Sequence, residues 1–152
     1  MGLGHVPPGT FRQEGQGDDV PGRQHRGAGA HLPDLRALTG LTGPRLARFG
    51  EDVACSFLAR RGARILERNL LVGGGEIDIL ARHGDATLAV EVKTVGFGAD
   101  AQDPVVRLTS QKALQVRRLA GQVRGHGPLR VDFVGVRLTS SGVIVNWRPA
   151  VA

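Results

Sequence analysis

Apolar residues recur at intervals of three and four between Arg45 and Arg61, at Leu46, Phe49, Val53 and Phe57, which is the stripe of an amphipathic helix. Pro44 suits its first turn and Gly62 stops it. The period then shortens. Ala63 to Leu71 reads as a strand with Ile65, Leu66 and Leu70 apolar, and Val72-Gly73-Gly74-Gly75 as a permissive turn. From Gly75 to Thr94 two alternating runs rich in Ile, Val, Leu and Ala flank the short turn His83-Gly84-Asp85-Ala86, the signal of a β-hairpin. Val95 to Asp103 has no periodicity and reads as a loop. Asp103-Pro104 starts a turn of helix, and Thr109 caps a firmer helix with Ala113, Val116, Leu119, Ala120 and Val123 as its buried stripe. After the breaker Gly125-His126-Gly127-Pro128, Leu129 to Leu138 and Val143 to Trp147 read as two more strands around a Ser-Ser-Gly turn. The resulting order is αβββαββ, a meander followed by a helical crossover, which is an α/β pattern.

The hairpin is where polar residues fall at positions that matter. Side chains alternate faces along a strand, so Glu76, Asp78 and Leu80 share one face while Ile77, Ile79 and Ala81 share the other. A two-residue loop at Gly84-Asp85 pairs residues whose numbers sum to 169, which sets Asp78 opposite Glu91 and Glu76 opposite Lys93. Opposed residues have Cβ atoms roughly 4.5 to 5.5 Å apart, and like charges so placed destabilise a sheet unless something binds between them. A hard divalent cation on oxygen ligands is the natural occupant, with Lys93 in reach of the same water or substrate atom. A slip of one residue would scatter the set to both faces.

Composition narrows the partner. Of 20 Lys and Arg and 14 Asp and Glu, four of each lie in residues 1–44, so the whole net charge of +6 belongs to residues 45–152. An excess of that sign points to an anionic partner, nucleic acid above all. Residues 1–44 also hold ten of the 23 Gly and five of the eight Pro. Such a stretch buries too little surface to offset its ordering entropy and reads as a disordered extension, of the kind a start codon placed too far upstream produces. The remainder, 45–152, reads as one domain with a mainly aliphatic core, since aromatic residues make up 4% and Tyr is absent. The single cysteine, Cys55, excludes an internal disulfide and reads as a small core residue. No run approaches the roughly 18 apolar residues of a membrane span, and a reducing cytoplasm is the default compartment. The five His show no zinc spacing.

Asp78 followed after thirteen and fifteen positions by Glu91 and Lys93 is similar to the D…(D/E)xK signature of restriction-endonuclease-like nucleases. The wider set is more specific: Gly50-Glu51 opening a helix with Ala54 and Leu58, Glu67-Arg68-Asn69, Gly75-Glu76-Ile77-Asp78, Val90-Glu91-Val92-Lys93-Thr94, Lys112, and Arg130-Val131-Asp132. In order and spacing it resembles the YraN-like family of small bacterial proteins, related by fold to Holliday-junction resolvases, over Leu46 to Leu138. Val95 and Leu71 depart from that pattern, being apolar where such proteins carry basic residues. The resemblance implies a central mixed sheet flanked by the two helices and a metal-dependent endonuclease acting on DNA, branched or flap-like structures included. It implies Asp78, Glu91 and the Val92 carbonyl as ligands of Mg²⁺ or Mn²⁺, with Glu51 reaching the ion directly or through water and Lys93 as the catalytic ammonium. On position alone Glu51 reads equally as a first-turn acid favoured by the helix dipole. Lys112 and Arg117 are the candidate nucleic-acid contacts on the second helix, and Asp132 reads as a structural partner of a neighbouring Arg. The rival expectation is a nucleic-acid-binding module of the same fold without catalysis, in which Glu91 and Lys93 only pair as polar residues of a sheet.

Overall fold

The computed structural model describes residues 11–14, 24–25, 35–98, 104 and 108–151. Strands β1 (Phe11–Glu14) and β2 (Gln24–His25) and one turn of helix α1 (Leu35–Leu38) precede helix α2 (Gly43–Arg60). There follow β3 (Arg64–Val72), β4 (Gly75–His83), β5 (Ala86–Val95), α3 (Ser110–Ala120), β6 (Leu129–Thr139) and β7 (Gly142–Arg148). From α2 onward this is the expected αβββαββ order. The strands form one mixed sheet, ordered β2-β1-β7-β6-β5-β4-β3. β5 and β6 run parallel because α3 carries the chain back across the sheet, while β3 to β5 and β6 to β7 are antiparallel hairpins.

The helices cover opposite sides of the centre. Beneath α2, Val53, Ala54, Phe57 and Leu58 pack with Ile79, Ala81, Leu88, Val90, Val134, Val136 and Trp147. Beneath α3, Val116, Leu119 and Ala120 pack with Ile77, Ala89 and Val131. Thr109 caps α3 as expected, its Oγ1 accepting the Lys112 amide at 3.1 Å. Of the turn of helix expected from Asp103-Pro104, Pro104 is described, in a 3₁₀ turn, while Asp103 and the part of the expected loop over 99–103 lie outside the described residues. Cys55 is half-buried against the α2 side of the core, and burial pushes its thiol up to about 11, so it carries no thiolate chemistry at neutral pH. Among the described residues no helix is long and apolar enough to cross a membrane.

The extension read as disordered needs correction where it is described. β1 pairs parallel with β7 at the sheet edge, and Leu38 is buried in the α2-side core with Leu41 packed against it. Backbone pairing at a sheet edge and two leucines at a helix base need little apolar surface, so the low overall hydrophobicity of 1–44 does not bar them. Most of residues 1–34 lies outside the described residues.

One close approach fixes α2 on the sheet. A Cβ added at Gly50 would lie 1.6 Å from Thr94 Oγ1 and 2.8 Å from Thr94 Cβ, so only glycine lets the helix backbone lie against β5 here. On β6, paired with Val90 of β5, the fully buried Asp132 accepts from Arg130 through both Nε and Nη2 at 2.7 Å, from Trp147 Nε1 at 3.0 Å and from the Ala150 amide at 3.0 Å. Those four donors make it a structural acid, as its place beside Arg130 suggests.

Gly50→Ala is expected to destabilise the fold by roughly 1 to 3 kcal/mol in urea titration, as overpacking does. Adding Thr94→Ala should return part of that loss, and strict additivity would refute the contact. Asp132→Ala, which strands a guanidinium and two buried donors, is expected to cost about 3 to 5 kcal/mol.

Candidate functional site

The β4–β5 hairpin has the two-residue loop and the register expected, from His83↔Ala86 to Ile79↔Val90. The ladder then stops. Asp78 Oδ2 accepts the Val92 amide at 2.7 Å, so a side chain takes a donor that a continuing ladder would have satisfied with backbone. The alternation also changes phase here: Ile79 and Ala81 pack beneath α2, but Ile77 packs beneath α3. The expectation that Ile77, Ile79 and Ala81 share a face is therefore corrected, and the predicted pairs Asp78–Glu91 and Glu76–Lys93 fall in the unpaired stretch.

The neighbouring strand is irregular at the same level. β3 pairs with β4 on both sides, Arg68↔Ile79 and Leu70↔Ile77, which leaves Asn69 facing Asp78 with a left-handed backbone, φ +51°. Asn is one of the few side chains that accept that conformation. Its Nδ2 donates to Glu51 Oε2 at 3.1 Å and to Glu76 Oε1 at 3.1 Å, tying α2 to β4. Glu51 is in the third turn of an 18-residue helix, so a first-turn dipole role is ruled out, as is a helix opening at Gly50. The contact of Gly50 with Thr94 brings Glu51 down beside the open end of the hairpin. Arg68 Nη2 holds Asp52 at 2.7 Å and lies 3.8 Å from Glu51 Oε2.

Glu91 meets Lys112 rather than Lys93: Lys112 Nζ lies 3.1 Å from Glu91 Oε1. Glu91 Oε2 is buried and has no hydrogen-bond partner among the described residues. Burial raises Glu91 above the usual carboxylate range against the opposing pull of Lys112 and Lys93. Asp78 is pushed up to about 7, by burial first and the Glu91 charge second, with the Val92 amide working the other way. Two half-buried acids that resist ionising side by side, one with an orphaned oxygen, form an oxygen donor set short of positive charge.

No three His, Cys, Asp or Glu side chains among the described residues form a ready-made metal cage. Mg²⁺ does not require such a cage, being ordinarily held by one or two carboxylates with waters and substrate phosphate completing the shell. The orphaned Oε2 of Glu91 and the depressed acidity of Asp78 fit such an ion.

Of the residues singled out in the sequence, the fold brings Glu51, Asp78, Glu91 and Lys112 together. Lys93 is exposed beside them and felt by Glu91 only through its charge. Arg117 is exposed and, five positions along α3, is turned about 140° from Lys112 around the helix axis, so the two do not form one patch. Asn69, Arg68 and Asp52 were missed as site residues. The signal for Asn69 was an Asn, a residue poor in strands and tolerant of left-handed backbone, within the Glu67-Arg68-Asn69 set. Of the two apolar departures, Val95 is buried, while Leu71 is 75% exposed opposite Glu76.

Residues 50–136 match the model of a family described as uncharacterised protein family UPF0102. A UPF0102 protein of Thermotoga neapolitana is 44% identical over 100 residues, 63% of this chain and 89% of the relative. One from Parafrankia sp. is 51% identical over 105 residues, 66% and 88% of the two chains, and one from Dictyoglomus turgidum 36% over 111 residues, 67% and 90%. The matched span begins at the glycine seated on Thr94 and takes in every member of the carboxylate cluster together with Lys93 and Lys112, and on that footing the chain belongs to the UPF0102 family.

Proposed function

We propose that the protein is a metal-dependent nuclease that hydrolyses DNA phosphodiester bonds in the cytoplasm, with branched or flap-like DNA as its substrate class. The observation that carries this reading is the buried Asp78–Glu91 pair at a break in the sheet ladder, with an oxygen that nothing in the described protein satisfies. Asp78, Glu91 and the Val92 carbonyl would hold Mg²⁺ or Mn²⁺, with Glu51 reaching it directly or through water. An ion there supplies charge neutralisation at the scissile phosphate and a water of lowered pKa. The protein's part is positional. Asn69 holds Glu51 and Glu76 in place, and the Val92 amide fixes the Asp78 carboxylate. Lys93, exposed at the rim, orients the attacking water or meets the charge developing on phosphate. Lys112 and Arg117 supply phosphate contacts within the surplus of positive charge carried by residues 45–152.

The Lys112–Glu91 salt bridge favours a second reading, a nucleic-acid-binding module in which the acid is already neutralised. Glu91→Gln separates them. In a nuclease it removes an anionic ligand, so Mn²⁺ binding by calorimetry and cleavage of a four-way-junction DNA should both fall, cleavage by at least roughly 10²-fold, while DNA binding persists. Lys93→Met should keep the ion and lose cleavage to a similar degree. A wild-type protein that binds no Mn²⁺ and cuts no DNA form would leave the binding module.

The pH response has a defined sign. The folded pKa of Asp78, about 7, lies above its ordinary 3.8, so the stability contributed by protonated Asp78 is complete below the ordinary value and is lost as pH rises through about 7. The metal-free protein should therefore melt lower at pH 8 than at pH 6, and Asp78→Asn should shrink the difference. Mn²⁺ affinity should move oppositely, rising up to about tenfold per pH unit below pH 7 with proton release on binding. A flat response in calorimetry would contradict the assignment of Asp78 as a ligand.

A further inference from the structure

Lys112 is the one side chain among the described residues in a salt bridge with Glu91, and it reaches that acid from a different element. Its backbone is fixed, since the amide is the one that Thr109 Oγ1 caps at the start of α3. Its ammonium is not fixed in the same way: the side chain is 38% exposed and hangs on four methylenes. Of the other cations near the acids, Arg68 is held on Asp52 at 2.7 Å, and Lys93 is exposed and acts on Glu91 through its charge alone. Lys112 thus occupies one oxygen of the carboxylate whose second oxygen is orphaned. A divalent ion on that second oxygen would repel the ammonium on the first, and in a half-buried site the repulsion is only weakly screened.

We infer that Lys112 is a resident counter-ion: it neutralises Glu91 in the metal-free protein, is displaced when a divalent cation takes that carboxylate, and then turns its freed ammonium to a phosphate of the bound nucleic acid. This rests on the reading of Asp78 and Glu91 as cation ligands. It couples the two binding events. Without the ion, Lys112 is spent inside the protein and the site carries surplus acid toward DNA; with it, the same residue adds a phosphate contact next to the reacting group. Cation and nucleic acid therefore bind with positive cooperativity, and by linkage each strengthens the other equally.

Two measurements on the full chain test it, with Lys112→Met and Lys112→Gln both used and their folding verified by thermal melts. In calorimetry without DNA, removing the competing ammonium should tighten Mn²⁺ binding about fivefold or more. The second readout is the salt dependence of binding to a four-way-junction DNA, in EDTA and in Ca²⁺ as a non-cleaving probe. In EDTA wild type and variants should have the same slope of log affinity against log salt. In Ca²⁺ the wild-type slope should exceed that of the variants by about 0.9, the contribution of one phosphate contact on duplex DNA. A difference already present in EDTA would show that Lys112 contacts phosphate without being released, and unchanged Mn²⁺ affinity would show that it does not compete; either overturns the inference while leaving the metal site standing. Absence of Mn²⁺ binding by the wild type would overturn both together.

Discussion

The Asp78 carboxylate accepting the Val92 amide is the contact on which the site depends. A backbone N–H left unpaired in a sheet is costly, and the usual partner is the carbonyl of the next strand. Giving that amide to a side chain ends the ladder at Ile79 and Val90 and leaves β4 and β5 free to separate beyond it. The separation makes room for polar side chains that a regular sheet would have crowded face to face. It also explains why Ile77 lies under α3 and Ile79 under α2, since a strand that changes phase at Asp78 must turn its next side chain to the other layer.

The irregularities on either side are of a piece with this break. Asn69, at φ +51°, stands across from Asp78 on β3, and its amide group holds Glu51 and Glu76 at once. Glu51 can be reached only because Gly50 lets α2 lie on Thr94, two residues past Val92. Helix, edge strand and hairpin thus converge through one glycine, one left-handed asparagine and one displaced hydrogen bond. None of these stabilises the core. Each spends local regularity to collect acids, and such strain persists where the surrounding packing over-determines the backbone. Here that packing is the fully buried set of Val53, Ile79, Leu88, Val90 and Val134 beneath α2.

The parts of the structure legible in the sequence are those where one period governs. The helix stripe of Leu46 to Phe57, the Thr109 cap and the hairpin register from His83 to Ile79 all came from spacing and turn chemistry. Alternation failed at Asp78 because a period of two assumes an unbroken ladder, and the bond that breaks it joins residues fourteen apart through a side chain. The Glu91–Lys112 contact was not legible for a related reason. Only the binding-module reading pairs Glu91 with Lys93, its neighbour along β5, whereas Lys112 arrives through the crossover, a contact set by how α3 packs on the sheet. Leu38 and Leu41 were hidden by averaging: a segment poor in apolar residues overall still has the few that pack at a helix base.

Three acids on β4, β5 and β6 differ in how their charge is met, and that difference carries a chemical meaning. Asp132, buried completely, is matched by four donors and has no oxygen to spare. Glu91, less deeply buried, is matched on one oxygen by a flexible ammonium and on the other by nothing among the described residues. Asp78 has one amide and a neighbouring like charge that pushes it toward protonation near neutral pH. A structural acid is satisfied by groups that cannot leave; Glu91 is partnered by one that can. An arrangement in which the deeper acid is saturated and the shallower pair is underfilled is what a ligand set requires, because a site filled by fixed donors has neither the lone pairs nor the surplus negative charge to attract a cation. The same sheet therefore separates its acids into one that ties β6 to β7 through Trp147 and a pair held ready where the β4–β5 ladder stops.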